Sequence, residues 1–141
     1  MDARSGTGTA DLAGYLARLG LAGVALPPTY DTLAALHRAH VERIAYECID
    51  HHVPRATPLA PGESVARLAA GRGGYCFHLN GAFSELLDHL GFAVTRHRAA
   101  VRHTAGGPVE PDHHLALTVV ADGVPYLADV GLGDGIHEPL P

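Results

Sequence analysis

No lysine occurs in this 141-residue chain, cysteine occurs only twice, and no long unbroken apolar run occurs anywhere. Each scarcity removes a class of function. The ten cationic residues are all arginines, scattered rather than clustered, and the formal net charge is −5. Nucleic acid and anionic membrane surfaces both need a clustered basic patch, so neither is an expected partner. Cys48 and Cys76 can close at most one disulfide, which excludes a disulfide scaffold. No segment approaches the roughly 20 apolar residues needed to span a bilayer. The opening "MDARSGTGTADLAGYLARLG" has neither a basic start nor an apolar core, and does not read as a signal peptide. A cytoplasmic location is therefore expected, where a cysteine in a special setting is a candidate for chemistry rather than cross-linking.

What is present is enough apolar residue, 47% of the chain, to build a real core. Residues 1–10 are small and polar and read as a flexible lead-in. From Asp11, an expected N-cap, Leu12, Tyr15, Leu16 and Leu19 recur at helical spacing until Gly20. Leu33, Leu36, His37, His40 and Ile44 trace one face of a second helix. His37 and His40 can neighbour each other on that face, but no carboxylate or third ligand sits at matching spacing, so they read as structural histidines. A loop, "DHHVPRATPLAPGE", leads to a helix expected over Ser64 to Ala70. Leu79, Phe83, Leu86, Leu87 and Leu90 then form one broad apolar face of a helix starting at Cys76 or Phe77, with Gly91 as its stop.

Beyond Gly91 the period changes from helical to alternating. "FAVTRHRAAVR" reads as a strand, "HTAGGPVEPD" as a loop, and "HLALTVVADGVPYLADVGLG" as a hairpin turning at Asp122 and Gly123. Helices come first and strands second, an α+β organisation divided at about residues 11–91 and 92–141.

The stretch "GRGGYCFHLNGAF" concentrates the chemical signals. Gly73 and Gly74 allow backbone conformations closed to other residues and the close approach of a ligand. The helix that follows brings unpaired N–H groups and its positive dipole end to Cys76. A cysteine so placed becomes a nucleophile at neutral pH when a histidine cation lies beside it.

The hairpin offers Asp112, His113, His114 and Asp129 as partners. A symmetric two-residue turn at Asp122 and Gly123 puts Ala116 opposite Asp129. His114, two residues before Ala116, then shares the Asp129 face as a diagonal neighbour, roughly 5 to 8 Å away. His113 points to the other face, although a bulge or an odd-length turn reverses this parity. The chemistry assigns Cys76 as nucleophile, His114 as proton carrier and Asp129 as the group that orients and stabilises the imidazolium. Each residue singly also has an ordinary structural reading, as buried cysteine, hydrogen-bonded histidine or turn aspartate. The rival, a metal site from Cys76, His78, His113 and His114, lacks a CxxC or HxxxH arrangement, and no metal is expected.

Three motifs carry a family resemblance that runs from about Leu12 to the last residue. "RGGYCFHLNGAF" resembles the signature of the arylamine N-acetyltransferases, in which an Arg-Gly-Gly-aromatic-Cys segment opens a helix. "HLALTVVADGVPYLADVGLG" resembles their histidine strand and Asp-x-Gly-aromatic-Gly segment, and "LAALHRAHVERIAYECID" resembles their "LH..H...IPFENLD" region. Aligned without gaps from Asp129, the family histidine falls on His114. The resemblance implies a cysteine-protease-like fold, with a helical bundle carrying the cysteine and an antiparallel β-barrel carrying the histidine and aspartate. It implies a ping-pong reaction in which acetyl-CoA acetylates the cysteine and an arylamine, arylhydrazine or arylhydroxylamine accepts the acetyl group. No tightly bound cofactor is implied beyond acetyl-CoA as cosubstrate. Arg72 and Glu47 match family positions that suggest a buried ion pair, and His113 and Leu132 are candidate substrate-binding residues.

The chain also departs from the family pattern. His78 stands where Glu or Gln is usual, Cys48 where Asn is usual, and Leu132 where an aromatic lines the acceptor pocket. Family members continue well past the Asp-x-Gly segment to finish the barrel and add a lid domain, so the sequence reads as truncated before the lid. An incomplete barrel is expected to expose strand edges and to self-associate. Two alternatives accompany the transferase reading: an amide synthase of the same architecture that releases a polyketide as a macrolactam, and an inactive remnant acting only as a binding module.

Overall fold

The computed structural model describes residues 8–53, 57–101, 106–108 and 112–141. Among them the helical periodicities become α1 (Gly8–Arg18), α2 (Tyr30–Arg43), α3 (Ile49–His52), α4 (Pro61–Ala69) and α5 (Cys76–His89). The alternating segments become β1 (Ala93–Ala99), β2 (His114–Ala121) and β3 (Val124–Ala128), one antiparallel sheet with β2 in the middle. The architecture is helices followed by a three-stranded antiparallel sheet, as the α+β reading expected.

Several boundaries differ from the sequence reading. α1 begins at Gly8, ahead of Asp11, and residues 1–7 of the expected lead-in lie outside the described residues. The loop after Asp50 is partly helical. Its short α3 starts where the Glu47 carboxylate accepts the Ile49 N–H at 2.8 Å, a local contact that replaces a missing helical partner. α4 starts at Pro61 rather than Ser64, because proline presets φ for a first turn and lacks only an N–H that has no partner there. Most of the loop expected over 103–112 lies outside the described residues.

α5 is the hub of the packing. Leu79, Phe83, Leu86 and Leu87 are at most 1% exposed, and Leu90 is only partly buried at the helix end. They join Leu12 and Tyr15 of α1, Leu19 just past its end, Leu33 and Leu36 of α2, and Val65 and Leu68 of α4 in one apolar cluster. Leu117, Val119 and Ala121 on β2 and Ala128 on β3 belong to the same cluster. The sheet therefore lies with one face on the helices. Its other face leaves Val120 and Leu127 exposed, and Val124 is exposed beside the hairpin turn. Beside β3, Leu127 and Leu140 exchange backbone hydrogen bonds of 2.7 and 2.9 Å.

The hairpin register agrees with the symmetric-turn argument. Leu117 pairs with Ala128 and Ala121 with Val124, the spacing that a two-residue turn imposes. Asp122 and Gly123 both adopt positive φ, 50° and 78°, as a primed hairpin turn requires. The Asp122 carboxylate also accepts the Tyr30 N–H at 2.8 Å, which ties the hairpin tip to the start of α2.

Candidate active site

The segment before Cys76 is held by packing, and this revises two expectations. Neither Gly73 nor Gly74 adopts positive φ, and the close approach they permit is of chain to chain. A Cβ at Gly73 would lie 2.3 Å from the Ala45 carbonyl oxygen, and one at Gly74 would lie 2.6 Å from the His78 Cβ. That proximity lets Gly74 pair with the 45–47 segment, donating to the Ala45 carbonyl at 3.3 Å and accepting from Glu47 N–H at 2.8 Å.

The ion pair expected between Arg72 and Glu47 is instead made by Arg67. Its guanidinium donates to Glu47 and Asp50, each at 2.7 Å, and to the Gly73 carbonyl at 2.6 Å. Arg67 points inward from the last turn of α4, with its side chain 9% exposed. Arg72 lies past the helix end, its side chain 48% exposed, and among the described residues reaches only Asp50, at 2.8 Å. The hydrogen bond from Arg67 is the largest influence holding the Asp50 carboxyl below the usual carboxylate range.

Cys76 is the first residue of α5, whose N-cap Tyr75 makes no side-chain cap, so the first-turn N–H groups keep their positive end toward Cys76. The Cys76 side chain is 5% exposed by residue, and its Sγ lies 3.8 Å from the His113 carbonyl. Across from it, His114 Nε2 and Asp129 Oδ2 are 2.6 Å apart, both buried. Hydrogen bonding to Asp129, and next to the Cys76 side chain, outweighs burial and raises the His114 pKa to about 9. The imidazole therefore carries its proton at neutral pH. Cys76, His114 and Asp129, which stand far apart in the sequence, meet in one site.

Two further residues named from the sequence line the same space. A cavity of about 170 Å³ is bounded by Cys76, His113, His114, Gly131 and Leu132, together with Tyr46 and Val101. His113 Nε2 also accepts the Val101 N–H at 3.3 Å. A second cavity, about 270 Å³, shares Tyr46 and Leu132 with the first, is also lined by Asp129, and opens toward Glu42, Arg43 and Ile136. Tyr46 was not singled out by the sequence; the pairing of Gly74 with the 45–47 segment brings it there.

Asn80 is the other residue that sequence reasoning missed. It lies one turn beyond Cys76 on α5 and is fully buried. Its amide nitrogen donates to the Leu115 carbonyl at 2.6 Å and to Asp129 Oδ1 at 2.8 Å, while its oxygen accepts the Val130 N–H at 2.9 Å. Gly131 N–H donates to the same Oδ1 at 3.0 Å, leaving Oδ2 to His114. A polar side chain inside an otherwise apolar helix face was the signal, because such a group must find buried partners. Gly131 permits this closeness: a Cβ there would sit 2.7 Å from Cys76 Cα and 2.8 Å from the Asn80 amide nitrogen.

His78 points away from this chemistry. It is 1% exposed, its ring meets Tyr75 edge-on at 4.7 Å, and among the described residues neither nitrogen has a hydrogen bond of normal geometry. Burial, reinforced by the Arg67 charge, lowers its pKa. Among the described residues no group of three or more His, Cys, Asp or Glu side chains is placed to hold a metal ion, and no helix is long and apolar enough to cross a membrane.

Known proteins are similar to this chain in sequence and fold. A family model described as N-acetyltransferase matches residues 29–141. The arylamine N-acetyltransferase of Escherichia coli K12 is 37% identical over 122 residues, covering 84% of this chain and 42% of that protein. Proansamycin X synthase of Amycolatopsis mediterranei is 35% identical over 138 residues, covering 92% of this chain and 52% of that protein. Among solved structures, the Salmonella typhimurium arylamine N-acetyltransferase superposes with a TM-score of 0.86 at 34% identity, over 94% of this chain and 48% of that one. The Mycobacterium marinum enzyme in complex with CoA superposes with a TM-score of 0.80 at 35% identity, over 92% of this chain and 49% of that one. The chain thus spans about half the length of the relatives it matches. With the family match extending over most of its residues and the fold shared, the chain belongs to the arylamine N-acetyltransferase family.

Proposed function

We propose that this protein moves an acetyl group from acetyl-CoA, through a thioester on Cys76, to the nitrogen of an arylamine, arylhydrazine or arylhydroxylamine. The observation that carries this reading is the buried His114–Asp129 pair, 2.6 Å apart, beside Cys76 at a cavity. The relative solved with CoA supports the donor.

With the shared proton on His114, the Cys76 sulfur attacks the acetyl carbonyl. The C–S bond to CoA breaks as the Cys76 thioester forms, and the imidazolium gives its proton to the departing CoA thiolate. The acceptor nitrogen then attacks the thioester, His114 takes the proton that nitrogen sheds, and the Cys76 sulfur leaves. Asp129 keeps the ring oriented and stabilises its charged form in both halves. His113 and Leu132 line the space where the acceptor binds, and no cofactor beyond the acetyl-CoA cosubstrate takes part.

Intact-mass analysis after incubation with acetyl-CoA tests this reading. One added acetyl group on the wild-type chain, absent from Cys76→Ser, is the expected result. Failure of the wild type to acquire it, or acetylation that persists in Cys76→Ser, overturns the assignment. The match to proansamycin X synthase favours one second reading, an amide synthase that loads a longer acyl chain on the same sulfur. Preferential loading from a bulky acyl thioester over acetyl-CoA would select it. A chain whose Cys76 reacts with no thioester is a binding remnant.

A further inference from the structure

His37 and His40 share a face of α2, and the acyl-transfer chemistry gives neither a task. His37 nevertheless touches the site. Its ring is fully buried, with Nδ1 3.1 Å from the His137 carbonyl oxygen and Nε2 3.2 Å from the Asp129 backbone nitrogen. A carbonyl only accepts and a backbone N–H only donates, so a single neutral tautomer satisfies both contacts: proton on Nδ1, lone pair on Nε2. His40 makes no comparable choice. Among the described residues neither of its nitrogens has a hydrogen-bond partner, and its ring packs edge-on against Tyr15 and Phe83.

The position of this contact gives it meaning. Asn80 and Gly131 N–H hold one oxygen of the Asp129 carboxylate, while His37 holds the backbone from which that carboxylate hangs. The segment after Asp129 returns across α2, with Glu138 paired to Arg38 and the His137 ring 3.2 Å from Glu42. His37 is clamped between the two ends of that return.

We propose that His37 is a positioning residue for the Cys76–His114–Asp129 site: as an acceptor it fixes the Asp129 backbone, and a proton on its Nε2 releases it. The inference rests on the acyl-transfer reading of that site. An imidazolium has two donors and no acceptor, so protonation sets Nε2–H against the Asp129 N–H. The titratable groups facing His37 are His40 on α2, Asp129 after β3 and His137 in the returning segment, while α5 presents the Phe83 ring. Burial pushes the His37 pKa below the ordinary histidine value, so the brace is intact at neutral pH and fails on acidification.

The test compares iodoacetamide labelling of Cys76 and Cys48 across pH in the wild type, His37→Phe and His37→Gln, with folding followed by circular dichroism. Glutamine can place an oxygen near the imidazole Nε2 position and cannot titrate, whereas phenylalanine fills the space without an acceptor. At pH 7 His37→Phe is expected to slow Cys76 about tenfold with Cys48 unchanged, the scale of one buried donor left unpaired. His37→Gln stays within about threefold, and its Cys76 rate relative to wild type rises as pH falls. A folded His37→Phe that labels Cys76 as fast as wild type overturns the proposal and leaves the triad standing. If His37→Phe does not fold, the pH dependence of His37→Gln decides: a ratio to wild type that is flat with pH overturns the proposal, and one that rises on acidification supports it. Wild-type Cys76 that labels no faster than Cys48 overturns the triad reading and this one together.

Discussion

Replacing Asn80 by alanine removes three hydrogen bonds at once, to the Leu115 carbonyl, the Asp129 carboxylate and the Val130 N–H, the last two buried. Their losses differ. The Leu115 carbonyl has a second lone pair, and Asp129 Oδ1 keeps the Gly131 N–H, so neither acceptor is abandoned. The Val130 N–H has only one proton to give and becomes a buried orphan, costing about 1–3 kcal/mol. Losing a hydrogen bond to the carboxylate adds about 1.5–3 kcal/mol. A water entering the vacated polar space recovers part of this, since it would find several partners. The net expectation is a loss of about 2–4 kcal/mol, a large share of the roughly 5–15 kcal/mol that holds a domain of this size. Urea denaturation should show a lower midpoint at unchanged slope. Asn80→Asp sharpens the test. At neutral pH the new carboxylate faces Asp129 across the 2.8 Å gap that the amide bridged, whereas in acid the protonated group can donate in its place. Its deficit relative to wild type should therefore shrink as pH falls. An Asn80→Ala loss below about 1 kcal/mol would refute the claim that Asn80 binds α5 to the Asp129 turn.

Three further outcomes follow from the same geometry. Arg67→Lys should cost about 2–3 kcal/mol, because one ammonium cannot replace a planar fork serving Glu47, Asp50 and the Gly73 carbonyl, whereas Arg72→Lys should stay within about 0.5 kcal/mol; equal effects in urea denaturation would contradict this. The His114 pKa is raised from 6.5 to about 9, so the stability it contributes is complete below about 6.5 and is lost as pH rises through about 9. Asp129→Asn should remove that alkaline fall and bring the imidazole titration, followed by NMR, back toward the ordinary value. His40, buried and unpartnered, has its pKa lowered to about 3, so it contributes stability above the unfolded value of 6.5 that is lost as pH falls toward 3. His40→Leu should move the midpoint of acid unfolding to lower pH, and an unchanged midpoint would assign that unfolding to other groups.

The ease with which residues were read from the sequence tracks how local their determinants are. The core face of α5, the faces of α2 and the hairpin with its Asp122–Gly123 turn all follow from periodicity or turn chemistry within a few residues of chain. Strand parity extended that reach. Once the turn length was set, alternation of side chains placed His114 on the Asp129 face, and the structure shows them 2.6 Å apart. Arg67 and Arg72 mark where the reading failed. Both pair with Asp50 in the fold, but which guanidinium turns inward to Glu47 depends on how α4 ends, which no local pattern specifies.

By itself the sequence determined that helices precede an antiparallel hairpin, that a cysteine opens a helix, and that one histidine and one aspartate share a strand face. These are consequences of the 3.6- and 2-residue periods, which act along the chain. Tertiary structure alone decided what holds those groups in place. The Asn80 amide reaches across to Asp129, His37 accepts the N–H of that aspartate from α2, and Arg67 takes the pair expected of Arg72. Buried polar groups must be satisfied, but any donor of the right geometry can satisfy them. Which one does so is settled only when elements distant in sequence pack together.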